Sequence, residues 1–147
     1  MSWANIRTKL KTLIETVSGI GVVHDYQRWS VESGEDATLF VSSGRYNVCY
    51  ITRDESLEDF EASDQHYRRH QVRLILFYSV DDSDATEKTF SDLLEAICDS
   101  LRADATLTTS AESSAPPQVA SDGHTRFRGA LCHYGEITVE IREDATF

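Results

Sequence analysis

The amino-acid sequence predicts a single α+β domain of 147 residues. Two segments carry apolar residues at spacings of three and four, which is typical of amphipathic helices. Several shorter segments are rich in β-branched and aromatic residues, or alternate between apolar and polar residues, which is typical of strands. The length suits one domain with its own core. No change in composition marks a boundary, so residues 1–147 form one predicted domain.

The first helix is predicted to begin near Trp3 and to end at Ser18-Gly19, because glycine readily takes the left-handed conformation that closes a helix. Three strands are predicted to follow, over 21–29, 38–41 and 46–53. The residues Ser42-Ser43-Gly44 supply good turn chemistry between the last two strands.

The segment from Tyr67 to Val80 predicts the central strand of the sheet. Both of its faces are apolar, so both are expected to be covered. One face would carry Val72, Leu74, Leu76 and Tyr78, and the other Ile75 and Phe77. A second helix is predicted after it, with Asp84 as N-cap and Glu87 completing a capping box. Its buried positions would be Phe90, Leu93, Leu94, Ile97 and Leu101.

Two polar segments interrupt this pattern. Residues 54–64 contain six acids, with Leu57 and Phe60 as apolar anchors, and predict a loop or a short frayed helix. Residues 104–123 are rich in Ser, Thr, Ala and Pro. They predict a flexible arm, since about twenty residues without periodicity exceed an ordinary connection.

A strand pair is predicted near the end of the chain. Residues 126–134 lead into Gly135, and the following residues alternate between apolar and polar over 137–141. This alternation indicates one dry face and one wet face.

The charge balance disfavours one class of function. The chain has 25 acidic and 14 basic residues, a formal net charge of −11. It lacks the clustered Lys and Arg of a phosphate-binding surface, so binding to the DNA backbone is disfavoured. An acidic surface suits either solubility alone or a protein that lets nucleic acid pass without adhering.

The three cysteines are widely spaced and include no CxxC pair, so no disulfide framework is predicted. This pattern fits synthesis in a reducing, cytosolic compartment. No signal peptide and no apolar run long enough to span a bilayer are expected.

No catalytic, cofactor or metal site is predicted. Cys132 and His133 would point to opposite faces of a strand, so they cannot pair as nucleophile and base. His66 and His70 have i, i+4 spacing but lack the glutamate of an HExxH motif, and two arginines lie between them. No P-loop, dinucleotide fingerprint or nucleophile elbow is present. The sequence therefore gives no positive support for an enzyme.

Surfaces that meet other proteins are the remaining candidates. Exposed aromatic residues are common at the centres of interfaces, although they also serve as core padding. Polar arms often become ordered only on meeting a partner. The candidate interface residues are Tyr26, Arg28, Trp29, Leu57, Phe60, Leu107, Pro116, Pro117 and Val119.

Four phrases follow one another along the chain: GIGVV at 19–23, HQVRLILF at 70–77, LRADATL at 101–107 and RFRGALCHYGEI at 126–137. With the order of the predicted elements, they resemble the tail-terminator proteins of long-tailed bacteriophages. The resemblance spans nearly the whole chain.

This resemblance implies a mixed, mostly antiparallel sheet flanked by two main helices, and a homohexameric ring that caps the tail tube. The implied partners are the tail-tube protein and a head-completion or connector protein, with genomic DNA crossing the lumen without specific binding. The implied location is the tail or neck of the virion, after synthesis in the host cytoplasm, with no cofactor and no membrane. Two alternatives stay open: a head-side connector or stopper protein, and a small-molecule-binding or enzymatic α/β domain.

Overall fold

The structure, a computed structural model, describes residues 2–27, 39–62, 65–104, 107 and 113–144. These residues form an α+β domain, as predicted, with helices α1 (Trp3–Glu15) and α2 (Thr86–Ala103). The strands are β1 (Val22–His24), β2 (Val41–Ser42), β3 (Arg45–Ala62), β4 (Gln65–Ser79), β5 (Ser113–Ser114), β6 (Gln118–Phe127) and β7 (Ala130–Asp144).

Strand β4 lies at the centre of the sheet, which confirms the prediction for this segment. The strand order is β1-β3-β4-β7-β5, with β2 beside β3 and β6 beside β7. Strands β1 and β3 pair in parallel, and the other described pairings are antiparallel. Among the described residues, one outer edge of the sheet is therefore formed by β1 and, beyond Tyr50, by β3, and the other by β5 and β6.

Both helices pack on one face of the sheet, and the predicted helical periodicity is confirmed there. Ile6, Leu10 and Ile14 of α1 are buried in the main core. The α2 residues of that core are Phe90, Leu93, Leu94, Ile97, Cys98 and Leu101. The sheet contributes alternate residues, including the predicted β4 set of Val72, Leu74, Leu76 and Tyr78.

A second, aromatic cluster lies on the opposite face of the sheet. Phe40 and Tyr50 are buried in it, and Ile75 and Phe77 pack against them, as predicted for the second face of β4. The rings of Phe77 and Phe127 stack with centroids 4.2 Å apart.

Two tight turns fix the register of the hairpins. Ser43 and Gly44 join β2 to β3, and Arg128 and Gly129 join β6 to β7; all four residues have positive φ. Two-residue loops of this kind match the twist of paired strands. The first turn confirms the turn predicted at Ser42-Ser43-Gly44. The second turn lies before Gly135, where the end of the strand was predicted.

Strand β7 instead runs straight through Gly135. A Cβ at this position would lie 2.9 Å from side-chain atoms of both Leu94 and Phe90. Gly135 is therefore required by the close approach of α2 to the sheet, and the prediction of a strand end at this glycine was wrong.

The acidic segment was also predicted wrongly, because residues 54–62 continue β3. Two of their partners on β4 are arginines: Glu58 lies opposite Arg68, and Leu57 opposite Arg69. The Nε of Arg68 donates to Glu58 at 2.8 Å. Opposite charges directly across an antiparallel pair stabilise it, so the Glu58–Arg68 pair favours the continuation of the acidic strand beside β4. Residues 63 and 64 lie outside the described residues.

The predicted arm over 104–123 is wrong for its second half, because 118–123 belong to β6 and 113–114 to β5. Both strands pair with β7. A ladder of backbone hydrogen bonds needs no large apolar side chains, so a polar composition did not prevent strand formation. Residues 105, 106 and 108–112 lie outside the described residues.

The remaining differences concern element ends. Strand β1 stops at His24, and β2 covers only Val41–Ser42. The N-cap of α2 is Ala85, in a left-handed conformation, and not Asp84. Asp84 is part of a short 3-10 turn, Asp82–Asp84, which moves the helix start by one residue.

Candidate interaction surfaces at the two sheet edges

The exposed large apolar side chains of the described residues lie at the two outer edges of the sheet. Tyr26, which follows β1, is 54% exposed. At the other edge, Val119 of β6 is 47% exposed, and Leu131, beside the turn between β6 and β7, is 50% exposed. Exposed apolar side chains at opposite edges indicate two separate contact surfaces.

A groove of about 420 Å³ runs between α2 and β6. Strand alternation turns Val119 and Asp122 toward the helix face, since they lie opposite Ile137 and Gly135 of β7. The lining residues of interest are Leu94, Glu95, Cys98, Pro117, Val119 and Asp122. We call this surface the α2–β6 groove. No strand in the described part of the chain pairs with the outer side of β6.

A smaller depression of about 260 Å³ lies at the β1 edge. Trp3 and Arg7 are four residues apart on α1 and so share one helix face. The Nε of Arg7 lies 3.7 Å from Asp25, and the guanidinium of Arg53 lies 5.1 Å from the ring centroid of Trp3. Tyr26 completes the lining. We call this surface the α1–β1 notch.

The two surfaces carry opposite charges. The notch has Arg7 and Arg53 against Asp25, and the groove has Glu95 and Asp122 against Arg102. Arg102 already pairs with Asp99 on α2 at 3.1 Å.

Three of these charges have no ionic partner among the described residues. Within the described ranges, no carboxylate lies within 4 Å of the Arg53 guanidinium. Likewise, no described cation lies that close to Glu95 or Asp122. Each edge therefore has charge available that the other edge would complement.

A buried ionic cluster lies beside the notch. Glu143 accepts a hydrogen bond from Arg68 at 3.0 Å, and its Oε1 lies 3.1 Å from Nε2 of His70. Burial lowers the pKa of His70, against the opposing effect of Glu143. The ring of Trp3 lies 5.2 Å from that of His70. His70 is fully buried, so the cluster packs beneath the notch, in contact with Trp3.

Cys132 and His133 do not act as a pair. Burial raises the pKa of the Cys132 thiol to about 11. The ring of His133 stacks on Phe90, and its Nε2 lies 2.8 Å from the hydroxyl of Thr86. Burial also lowers the pKa of His133. In the part of the chain that the structure describes, no three His, Cys, Asp or Glu side chains come together in a metal-binding arrangement.

The predicted interface residues lie in different parts of the structure. Tyr26 lines the notch, Pro117 and Val119 line the groove, and Pro116 is exposed beside β5. Leu107 is a correction: it is 1% exposed and belongs to the main core, so it cannot meet a partner.

Four further candidates are not assigned to the notch or to the groove. Leu57 is half-buried on β3, opposite Arg69, beyond the stretch of β3 that pairs with β1. Arg28 and Trp29 lie outside the described residues, as does the side chain of Phe60. The sequence did not single out Arg53, Glu95, Asp122 or Leu131, because one charged or apolar residue on an exposed face resembles any other.

Comparison with protein-family models and with curated protein sequences finds no match to this chain. Neither of the two described helices combines the length and the apolar composition needed to cross a membrane.

Proposed function

We propose that the protein is a structural assembly subunit that associates with copies of itself head to tail. In this arrangement, the α1–β1 edge of one copy contacts the α2–β6 edge of the next. The role proposed for the assembly is that of a phage tail terminator, a hexameric ring that caps the tail tube and offers a surface for head joining.

The observation that supports self-association is the pairing of two different, complementary surfaces on opposite edges of one sheet. One edge exposes Tyr26 and the other exposes Val119, and the two edges carry opposite charge. Contacts between two different patches generate closed rings when the rotation between subunits closes, and filaments when it does not. Among the described residues, no strand pairs with the outer side of the ten-residue strand β6. Proteins normally protect such an edge by pairing it with another strand or by covering it.

The role as a terminator is supported by the acidic composition and by the resemblance described above. A net charge of −11 per subunit repels the phosphate backbone. A ring of such subunits would let genomic DNA cross the lumen without holding it.

The proposal is tested by the mass of the purified full chain, measured by light scattering over a range of concentrations with and without isolated tail tubes. We expect a six-copy species, either alone or at tube ends, where electron microscopy would show a terminal ring. A chain that stays monomeric and leaves tube ends bare contradicts the proposal. Attachment to the head-side connector in place of the tube ends would instead identify a stopper protein.

A further inference from the structure

We infer that Tyr26 and Arg53 of one copy dock into the α2–β6 groove of the next copy. Tyr26 would pack against Leu94, Pro117 and Val119, and Arg53 would pair with Glu95 and Asp122. This inference rests on the proposed self-association and assigns the residues that carry it.

The apolar part of the contact follows from size and exposure. Tyr26 is more than half exposed, and a tyrosine buries about 150–250 Å² when an interface covers it completely. The groove, at about 420 Å³, offers Leu94, Pro117 and Val119 as apolar lining. Tyrosines that fill such pockets are among the residues that contribute most to binding.

The polar part of the contact follows from the charges that have no ionic partner among the described residues. The chain has 25 acids and only 14 bases, yet no described carboxylate pairs with Arg53. Instead, its guanidinium is held over Trp3 and 3.4 Å from Nδ1 of His70. A positioned guanidinium is suited to recognise a carboxylate, and the groove presents two of them.

A second copy is the occupant that satisfies both surfaces at once. Tyr26 and Arg53 line the same notch, and Glu95, Val119 and Asp122 line the same groove. Both surfaces belong to every copy, on opposite edges of the sheet, as head-to-tail association requires. The contact is partly ionic, so we expect it to weaken as salt rises.

The test uses two full-length variants that each lose one half of the contact. The notch variant, Tyr26→Asp, places a negative charge against the acidic groove. The groove variant, Glu95→Arg with Val119→Arg, places positive charge against Arg53. All three positions are exposed, so both variants should fold, which circular dichroism and the melting temperature would verify. The matched control is Asp92→Arg, an exposed position of α2 outside the groove lining.

Under conditions where the wild type associates, each variant alone should remain monomeric, with a Kd at least about tenfold higher, equal to about 1.4 kcal/mol. A one-to-one mixture should form a species of two copies and stop, because one intact notch and one intact groove remain. The control should assemble like the wild type.

Two results would overturn the inference while leaving the proposed function intact. Full assembly of either folded variant by itself would place the contact elsewhere. A folded mixture that stays monomeric would show that notch and groove are not two halves of one contact. A wild-type chain that never associates would instead refute the proposed function itself.

Discussion

Nε2 of His70 lies 3.1 Å from Oε1 of Glu143, and both side chains are almost completely excluded from solvent. Arg68 donates a second hydrogen bond to the same oxygen at 3.0 Å. A buried carboxylate is costly unless it is paired and hydrogen-bonded. These two contacts therefore hold together the ends of β4 and β7 beside the α1–β1 notch.

Replacing Glu143 by Gln should lower the free energy of unfolding by about 1–3 kcal/mol, because the amide oxygen of Gln carries no formal charge and accepts the hydrogen bonds of Arg68 and His70 more weakly inside the protein. Chemical denaturation gives the value. The control is Glu140→Gln on the same strand, where the side chain is half-exposed and the cost should stay below about 1 kcal/mol. An equal loss of unfolding free energy at the two positions would show that burial of the cluster does not determine its contribution to stability.

Stability should fall as pH drops below about 6.5, the ordinary pKa of histidine. Burial lowers the pKa of both His70 and His133, so the unfolded chain binds protons at a pH where the folded chain does not. The stabilisation is complete above the ordinary pKa, which applies to the unfolded chain. It is lost as pH falls from that value toward the lowered pKa of the folded chain. Urea unfolding at pH 7, 6 and 5 measures the slope of the free energy of unfolding against pH.

The variant His133→Gln removes one of the two groups and should flatten that slope. Above pH 7, its stability curve should run parallel to the wild-type curve. An unchanged slope between pH 7 and 5 would show that His133 does not contribute.

The loss of stability caused by a glycine-to-alanine substitution should increase as the space available for the added Cβ decreases. Gly21→Ala should be the most costly, because its Cβ would collide with the backbone carbonyl of Asn47. Gly135→Ala should cost about 1–3 kcal/mol, since the side chains of Leu94 and Phe90 can move only partly. A Cβ at position 123 would have nothing within 4 Å, so Gly123→Ala should be close to neutral. Thermal unfolding of the three variants checks the order, and a costly Gly123→Ala would contradict it.

Thiol labelling should distinguish the three cysteines. Burial raises the pKa of Cys49 to about 12 and that of Cys132 to about 11, so neither should react with a thiol reagent near pH 8. Burial also raises the pKa of Cys98, but this thiol lines the α2–β6 groove and should react first of the three. Peptide mapping after brief labelling identifies the site. If the groove is an interface, Cys98 should react more slowly in the assembled protein, whereas equal labelling of all three thiols would contradict the burial described here.

The protein should not bind free duplex DNA at moderate salt. Binding to the DNA backbone depends on clustered cations, and the chain has a net charge of −11. A gel-shift titration measures this directly. Tight, salt-sensitive binding would overturn the idea of a passive DNA channel.

The elements predicted best are those whose own residues dictate them. The periodicity of α1 and α2 and the two apolar faces of β4 are properties of single segments, and all three were predicted from the sequence. The ends of β3 and the whole of β6 depend on a partner strand instead. Residues 54–62 are strand because Arg68 and its neighbours lie opposite, and 118–127 are strand because β7 supplies the ladder.

The candidate site shows the same division. Tyr26, Pro117 and Val119 were predicted because apolar residues in polar surroundings are conspicuous in a sequence. Arg53 and Glu95 were not, since a charge is recognised as unpaired only when its neighbours in space are known.

Strand β7 follows every other described strand in the chain, yet it pairs with β4 on one side and with β5 and β6 on the other. While the ribosome is still adding residues before 130, the hairpin of β3 and β4 has an open edge where β7 will lie. Open strand edges of this kind are where nascent chains aggregate or recruit chaperones. The yield of folded protein in a cell should therefore depend on how quickly β7 emerges and docks. Synonymous codons that slow translation of this strand should reduce that yield without changing the stability of the finished molecule.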